Sequence, residues 1–137
     1  MSEDMLTWLR SQIVAEKEAS EAATKGEWAS DDGGSIHVGH PTNVVVDWIL
    51  NDEDLDHVLR QQPRDTIARC EADLAILDEH EIHDSGFGQS CTVCFEKGRD
   101  GADVPVEAPC RTVLLLAYGR RYRPGWNPDW TPEGVET

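Results

Sequence analysis

The sequence predicts a small α+β single domain: three or four helices, a short β-hairpin or meander, and a loop stapled by zinc. Three observations point there. Apolar residues recur with helical period at residues 5–13 and 67–77, short apolar runs alternate with glycines between residues 28 and 48, and a CxxC pair is followed by a distant third cysteine. At 137 residues the chain has the length of one domain with a single core.

The first element is expected over residues 1–25. Ser2 followed by Glu3 and Asp4 suits a helix start, where unsatisfied amides and the positive dipole end favour a capping hydroxyl and carboxylates. Met5, Leu9 and Ile13 recur at i, i+4, i+8, and Ala15, Ala19, Ala22 and Ala23 carry the helix to about Thr24. Gly26 is placed to stop it. Residues 28–48 read as two or three short strands, with Ile36, Val38 and Val44 to Trp48 set among the turn signals Asp31-Asp32-Gly33-Gly34 and Gly39-His40-Pro41.

Residues 52–83 are expected to be helical. Asn51-Asp52-Glu53-Asp54 caps a short helix carrying Leu55, Val58 and Leu59, and Pro63 fits the first turn of a longer one. In that longer helix Ile67, Cys70, Leu74 and Leu77 mark one face for burial. Cys70 lies in the stripe and reads as a small buried hydrophobe, not as a ligand. Residues 84–110, rich in glycine and acids, read as the zinc loop. Residues 111–137 hold a last helix through Val113 to Ala117, ending near Gly119, and a tail of aromatics and prolines from Tyr122 to Trp130.

The chemistry concentrates in the loop. Cys91-Thr92-Val93-Cys94 offers two sulfurs to one tetrahedral ion, and Cys110 follows fifteen intervening residues later, at the start of the last helix, where the dipole favours a thiolate. His80 or His83, at the carboxyl end of the long helix, supplies the fourth donor. His80 is preferred because it follows Ile76 by four residues and Leu77 by three and so projects from the buried face. The candidate metal ligands are therefore His80, Cys91, Cys94 and Cys110, in the pattern H-x10-C-x2-C-x15-C. Four protein ligands leave no open position, so Zn2+ would be structural; iron in place of zinc is not excluded by spacing. A thioredoxin-like role would place the CxxC at the first turn of a helix after a strand, and Gln89-Ser90 before it and Phe95 to Gly98 after it do not supply that context.

The formal net charge is −15, with 13 acids against 3 bases in residues 1–57. That balance opposes non-specific binding to nucleic acid or anionic lipid and favours a protein partner with a basic or neutral surface. No segment approaches the roughly 20 apolar residues that span a bilayer. Met1 to Arg10 lack the basic-then-apolar order of a secretory signal, so a cytoplasmic location is expected, where four cysteines serve as thiols or ligands more readily than as disulfides.

Other residues have plainer readings. His37 and His40 are expected as exposed loop residues and His57 as packed in the short helix. Arg111, Arg120, Arg121 and Arg123, interleaved with Tyr118, Tyr122 and Trp126, could stack on a nucleic acid end, but pairing with the surplus acids is the favoured reading.

The chain also resembles an uncharacterised family of small actinobacterial and actinophage proteins, a domain of unknown function. The resemblance rests on Ala22 to Trp28, on His57, Pro63 and Ile76 to His80, and on Cys110, Thr112, Leu115, Ala117, Tyr118, Pro124 and Trp130. It favours His80 over His83 as ligand and brings no activity. Members often carry His-Asp before the helix proline and Ala-Asp-His after the late tyrosine, where this chain has Gln61-Gln62 and Gly119-Arg120-Arg121. Three functions follow in order of preference. The first is a protein-interaction module working through its acidic surface or Trp-rich tail; the second an enzyme using His57 with Asp54 or an open metal; the third a nucleic acid mimic built on Asp47, Asp52, Asp54 and Asp56.

Overall fold

The structure, a computed structural model, describes residues 2–30, 34–49, 51–84, 86 and 88–135; the Ser2 side chain and the expected Asp31-Asp32-Gly33 turn lie outside them. The fold is α+β, with four helices and two three-stranded antiparallel sheets among the described residues. In chain order these are α1 (Ser2–Ala22), β1 (Trp28–Ser30), β2 (Ile36–Val38), β3 (Val44–Val46), α2 (Asp52–Arg60), α3 (Pro63–Glu79), β4 (Ile82–Asp84), β5 (Gln89–Lys97), β6 (Asp103–Glu107) and α4 (Arg111–Tyr118), followed by a 3-10 turn (Pro128–Trp130). No helix among the described residues is long and apolar enough to cross a membrane. The chain divides into two compact units, one of Met1–Ile13 with Ala72–Thr137 and one of Val14–Glu71.

In the Val14–Glu71 unit, β1, β2 and β3 form the expected meander, with Trp28 opposite Val38 and Ile36 opposite Val46. Ile36 and Cys70 are fully buried there. Asn51 caps α2 by accepting from the Asp54 amide at 2.8 Å. Gln62 is buried, and its Oε1 accepts from the Trp28 amide at 3.0 Å while its Nε2 donates to the Leu59 carbonyl at 3.0 Å. It ties the sheet edge to the end of α2, which is a structural duty.

The other unit buries Met5, Leu9 and Ile13, the stripe read from the first helix, together with Leu77, Val113, Ala117 and Tyr118. Its second core is aromatic. Trp8 lies 5.7 Å from Trp126 and 5.3 Å from Trp130, and Tyr118 meets Trp126 edge-on at 6.3 Å between ring centres. Trp8 also donates its indole N–H to the Pro124 carbonyl at 2.9 Å. The tail tryptophans expected as exposed anchors are thus half-buried, because their partner Trp8 sits at the far end of the sequence.

The segment expected to be a loop is a sheet. β5 pairs antiparallel with both β4 and β6, and Gly98 closes the β5–β6 hairpin by donating to the Ala102 carbonyl at 2.8 Å. Its strand signal is weak for a physical reason: the buried positions of β5 are Ser90 and Cys91 in place of Val or Ile, and Pro105 falls in the middle of β6.

Candidate metal centre

Three elements deliver the four donors: the end of α3 one, β5 two and the start of α4 one. His80 follows the last residue of α3 and continues its helical bonding, its amide donating to the Ile76 carbonyl at 3.0 Å. Cys91 pairs opposite Ile82 of β4. Cys94 lies where the β5–β6 register jumps from Ser90–Glu107 to Phe95–Pro105, five positions along β5 against two along β6. Four residues, Cys91 to Cys94, thus stand against the single Val106, so the CxxC leaves the β5–β6 ladder as a knuckle. Cys110 is the N-cap residue of α4, yet its side chain makes no capping bond and turns instead toward the other three.

The donor atoms of His80, Cys91, Cys94 and Cys110 all lie within 4.8 Å of one another. His80 Nδ1 is 3.4 Å from the Cys91 sulfur, 3.4 Å from that of Cys94 and 3.5 Å from that of Cys110. A ring nitrogen has one lone pair or one proton, so it cannot hydrogen-bond to three sulfurs at once. Zinc bonds of about 2.3 Å to sulfur and about 2.05 Å to nitrogen, at tetrahedral angles, would hold nitrogen and sulfur roughly 3.5–3.6 Å apart. The spacing matches that figure, and none of the four cysteines is in a disulfide. The arrangement is compatible with a zinc site.

The electrostatics agree. Burial is the largest influence on Cys91 and raises its thiol, but the Val93 amide, the His80 contact and the Cys94 amide together outweigh it and bring it down to about 7. Cys94 is pushed up to about 12, first by burial and then by the sulfurs of Cys91 and Cys110, whose negative charge opposes a further thiolate. Three sulfurs this close cannot all ionise without a cation among them.

Sequence spacing did not mark Thr92. Its amide donates to the Glu81 carbonyl at 3.0 Å and its hydroxyl to the Glu79 carbonyl at 3.0 Å, so the knuckle grips the chain on both sides of His80. His83 stands outside the cluster, exposed on β4 opposite Ser90. Cys70 is fully buried and also outside it.

The remaining histidines stay apart. His57 is exposed on α2, where a packed role was expected, because the apolar residues of that short helix, Leu55, Val58 and Leu59, fall on the opposite side. His40 is exposed, and His37, expected in a loop, is half-buried in β2. Among the arginines, Arg120 pairs with Asp73 at 2.7 Å, Arg111 donates to the Glu133 carbonyl at 2.8 Å, and Arg121 lies over the rings of Tyr118 and Tyr122 at 4.2 and 4.7 Å. Three of the four are engaged within the chain.

The chain belongs to a family of unknown function, DUF6221, whose model matches residues 2–132 and so spans all four clustered donors. No curated protein and no solved structure matches it.

Proposed function

We propose that the chain is a zinc-stabilised protein-interaction module whose metal is structural, held by His80, Cys91, Cys94 and Cys110. The observation that carries this reading is the convergence of three sulfurs on one imidazole nitrogen at 3.4, 3.4 and 3.5 Å. Four protein donors fill a tetrahedral shell and leave no place for a reacting water. The ion would tie the end of α3 and the start of α4 to a sheet that has little apolar surface of its own. A reducing cytoplasm, where thiolates persist, suits such a centre.

Binding, in preference to catalysis, is supported by charge and by one exposed aromatic. The net charge of −15 favours a basic partner, and the resemblance to actinobacterial and phage proteins supports a host or phage protein in that role. Trp48 is 83% exposed, the position in which tryptophan anchors interfaces. The mimic reading is weakened because Asp56 already pairs with Arg60 at 2.9 Å and Asp54 bonds Asn51 at 2.9 Å, so these acids do not form a free row.

Two measurements test the proposal. Elemental analysis of purified protein should give one zinc per chain, and a metal-free, fully folded protein would refute the structural metal. Capture of one reproducible basic partner that is lost in high salt supports the interaction role, and its consistent absence would overturn that role.

A further inference from the structure

Between the end of β6, the start of α4 and the 3-10 turn lies a cavity of about 390 Å³, within the size range of small-ligand sites. Its lining includes the apolar Met5, Pro109, Leu114 and Trp130, of which Met5 is fully buried, and the acidic residues Glu107 and Asp129. Among the described residues neither carboxylate is paired with a cation. Trp130 is fixed by ring contacts at 5.3 Å to Trp8 and 5.5 Å to Trp126, so it offers a rigid aromatic surface.

We propose that this cavity is a docking pocket for an arginine side chain of the protein partner. A guanidinium stacks on an aromatic ring, bonds carboxylates through its fork of N–H donors, and carries a methylene stem suited to an apolar wall. The cavity supplies all three: Trp130 for the plane, Glu107 and Asp129 for the N–H groups, Pro109 and Leu114 for the stem. A neutral ligand would gain no ion pair from the two exposed acids, and an anion would be repelled by them. The assignment rests on the interaction reading above, which it deepens by naming the side chain the partner presents.

The test titrates the full-length protein with n-butylguanidinium and with n-butylurea, which has the same shape without the charge, following indole N–H resonances and tryptophan fluorescence. Butylguanidinium should saturate and shift the Trp130 indole signal, and butylurea should bind at least tenfold more weakly. The double variant Glu107→Gln, Asp129→Asn should lose at least tenfold in affinity, while Glu3→Gln with Glu18→Gln, the same charge change elsewhere, should lose less than twofold. Equal binding of butylurea, or equal losses in the two double variants, would overturn the pocket. The urea comparison uses the unaltered protein and so decides the matter even if a variant misfolds. Zinc content and salt-sensitive capture read the interaction role separately, so failure here leaves that role standing.

Discussion

Thr92 donates its hydroxyl to the Glu79 carbonyl across 3.0 Å, joining the middle of the CxxC knuckle to the last residue of α3, one position before His80. The amide of the same threonine reaches the Glu81 carbonyl at 3.0 Å. Two bonds from one residue therefore fix the histidine backbone relative to two of the three sulfurs.

Thr92→Val keeps the branched shape and the amide bond but removes the hydroxyl. The loss should be about 1 kcal/mol, or roughly 4 °C in the melting midpoint. Zinc should also pass more readily to a competing chelator, because His80 is less well held, and Thr92→Ser should restore both values. An unchanged rate of zinc transfer in Thr92→Val would show that the bond does not position the ligand.

Removal of a donor tests the centre itself. Cys91→Ser and Cys110→Ser should each purify with far less than one zinc per chain and lose protection over residues 80–118 in hydrogen exchange, since structural zinc binding contributes about 10 kcal/mol or more to folding. The sheet around β5 buries little beyond Ser90 and Cys91, so few apolar contacts remain to hold it. Cys70→Ser should keep full zinc content, because Cys70 is buried outside the cluster. Zinc loss in Cys70→Ser would contradict the assignment of donors.

Sulfur and imidazole placement was legible in the sequence because spacing and helix phase both select them. The CxxC fixes two donors, Cys110 falls at a helix start, and His80 continues the face that buries Leu77. The second sheet was not legible, since a strand is read from alternating apolar residues and β5 places Ser90 and Cys91 at its buried positions. Nor was the fate of the tail. Trp126 and Trp130 look like exposed anchors until folding brings up Trp8, whose indole bonds the Pro124 carbonyl 116 residues away. Gln62 was similarly opaque, because its acceptor role toward the Trp28 amide spans 34 residues.

Acid should release the metal, with a sign that follows from the thiols. In the metal-free cluster Cys94 is pushed up to about 12, by burial and by its sulfur neighbours, so it holds its proton at pH 8 and must give it up to an incoming ion. Cys91, brought down to about 7, is already mostly ionised at that pH. Zinc-bound thiolates carry no proton, whereas the unfolded chain's thiols do below about pH 8.5, so the unfolded state binds more protons and stability of the zinc form falls with falling pH. Titration calorimetry in buffers of different ionisation heat should show at least one proton released per zinc at pH 8 and an affinity that climbs from pH 6 to 8. An affinity independent of pH would exclude thiolate ligation.

Gly125 tests the aromatic core through backbone geometry. Its φ is +89°, and a Cβ there would lie 2.7 Å from Trp8 Nε1, the atom that donates to the Pro124 carbonyl. Gly125→Ala therefore meets two penalties at once, a strained backbone and displacement of a bonded indole, which together should cost about 3 kcal/mol. Gly134 separates the two. It also has positive φ, +77°, but an added Cβ would meet nothing within 4 Å, so Gly134→Ala carries the backbone term alone, about 1 kcal/mol. The difference between the two variants in denaturant midpoint measures what the Trp8 contact is worth. A comparable loss in both would mean that the Trp8 indole is held too loosely to notice a methyl group, and a tryptophan emission spectrum unchanged in Gly125→Ala would say the same.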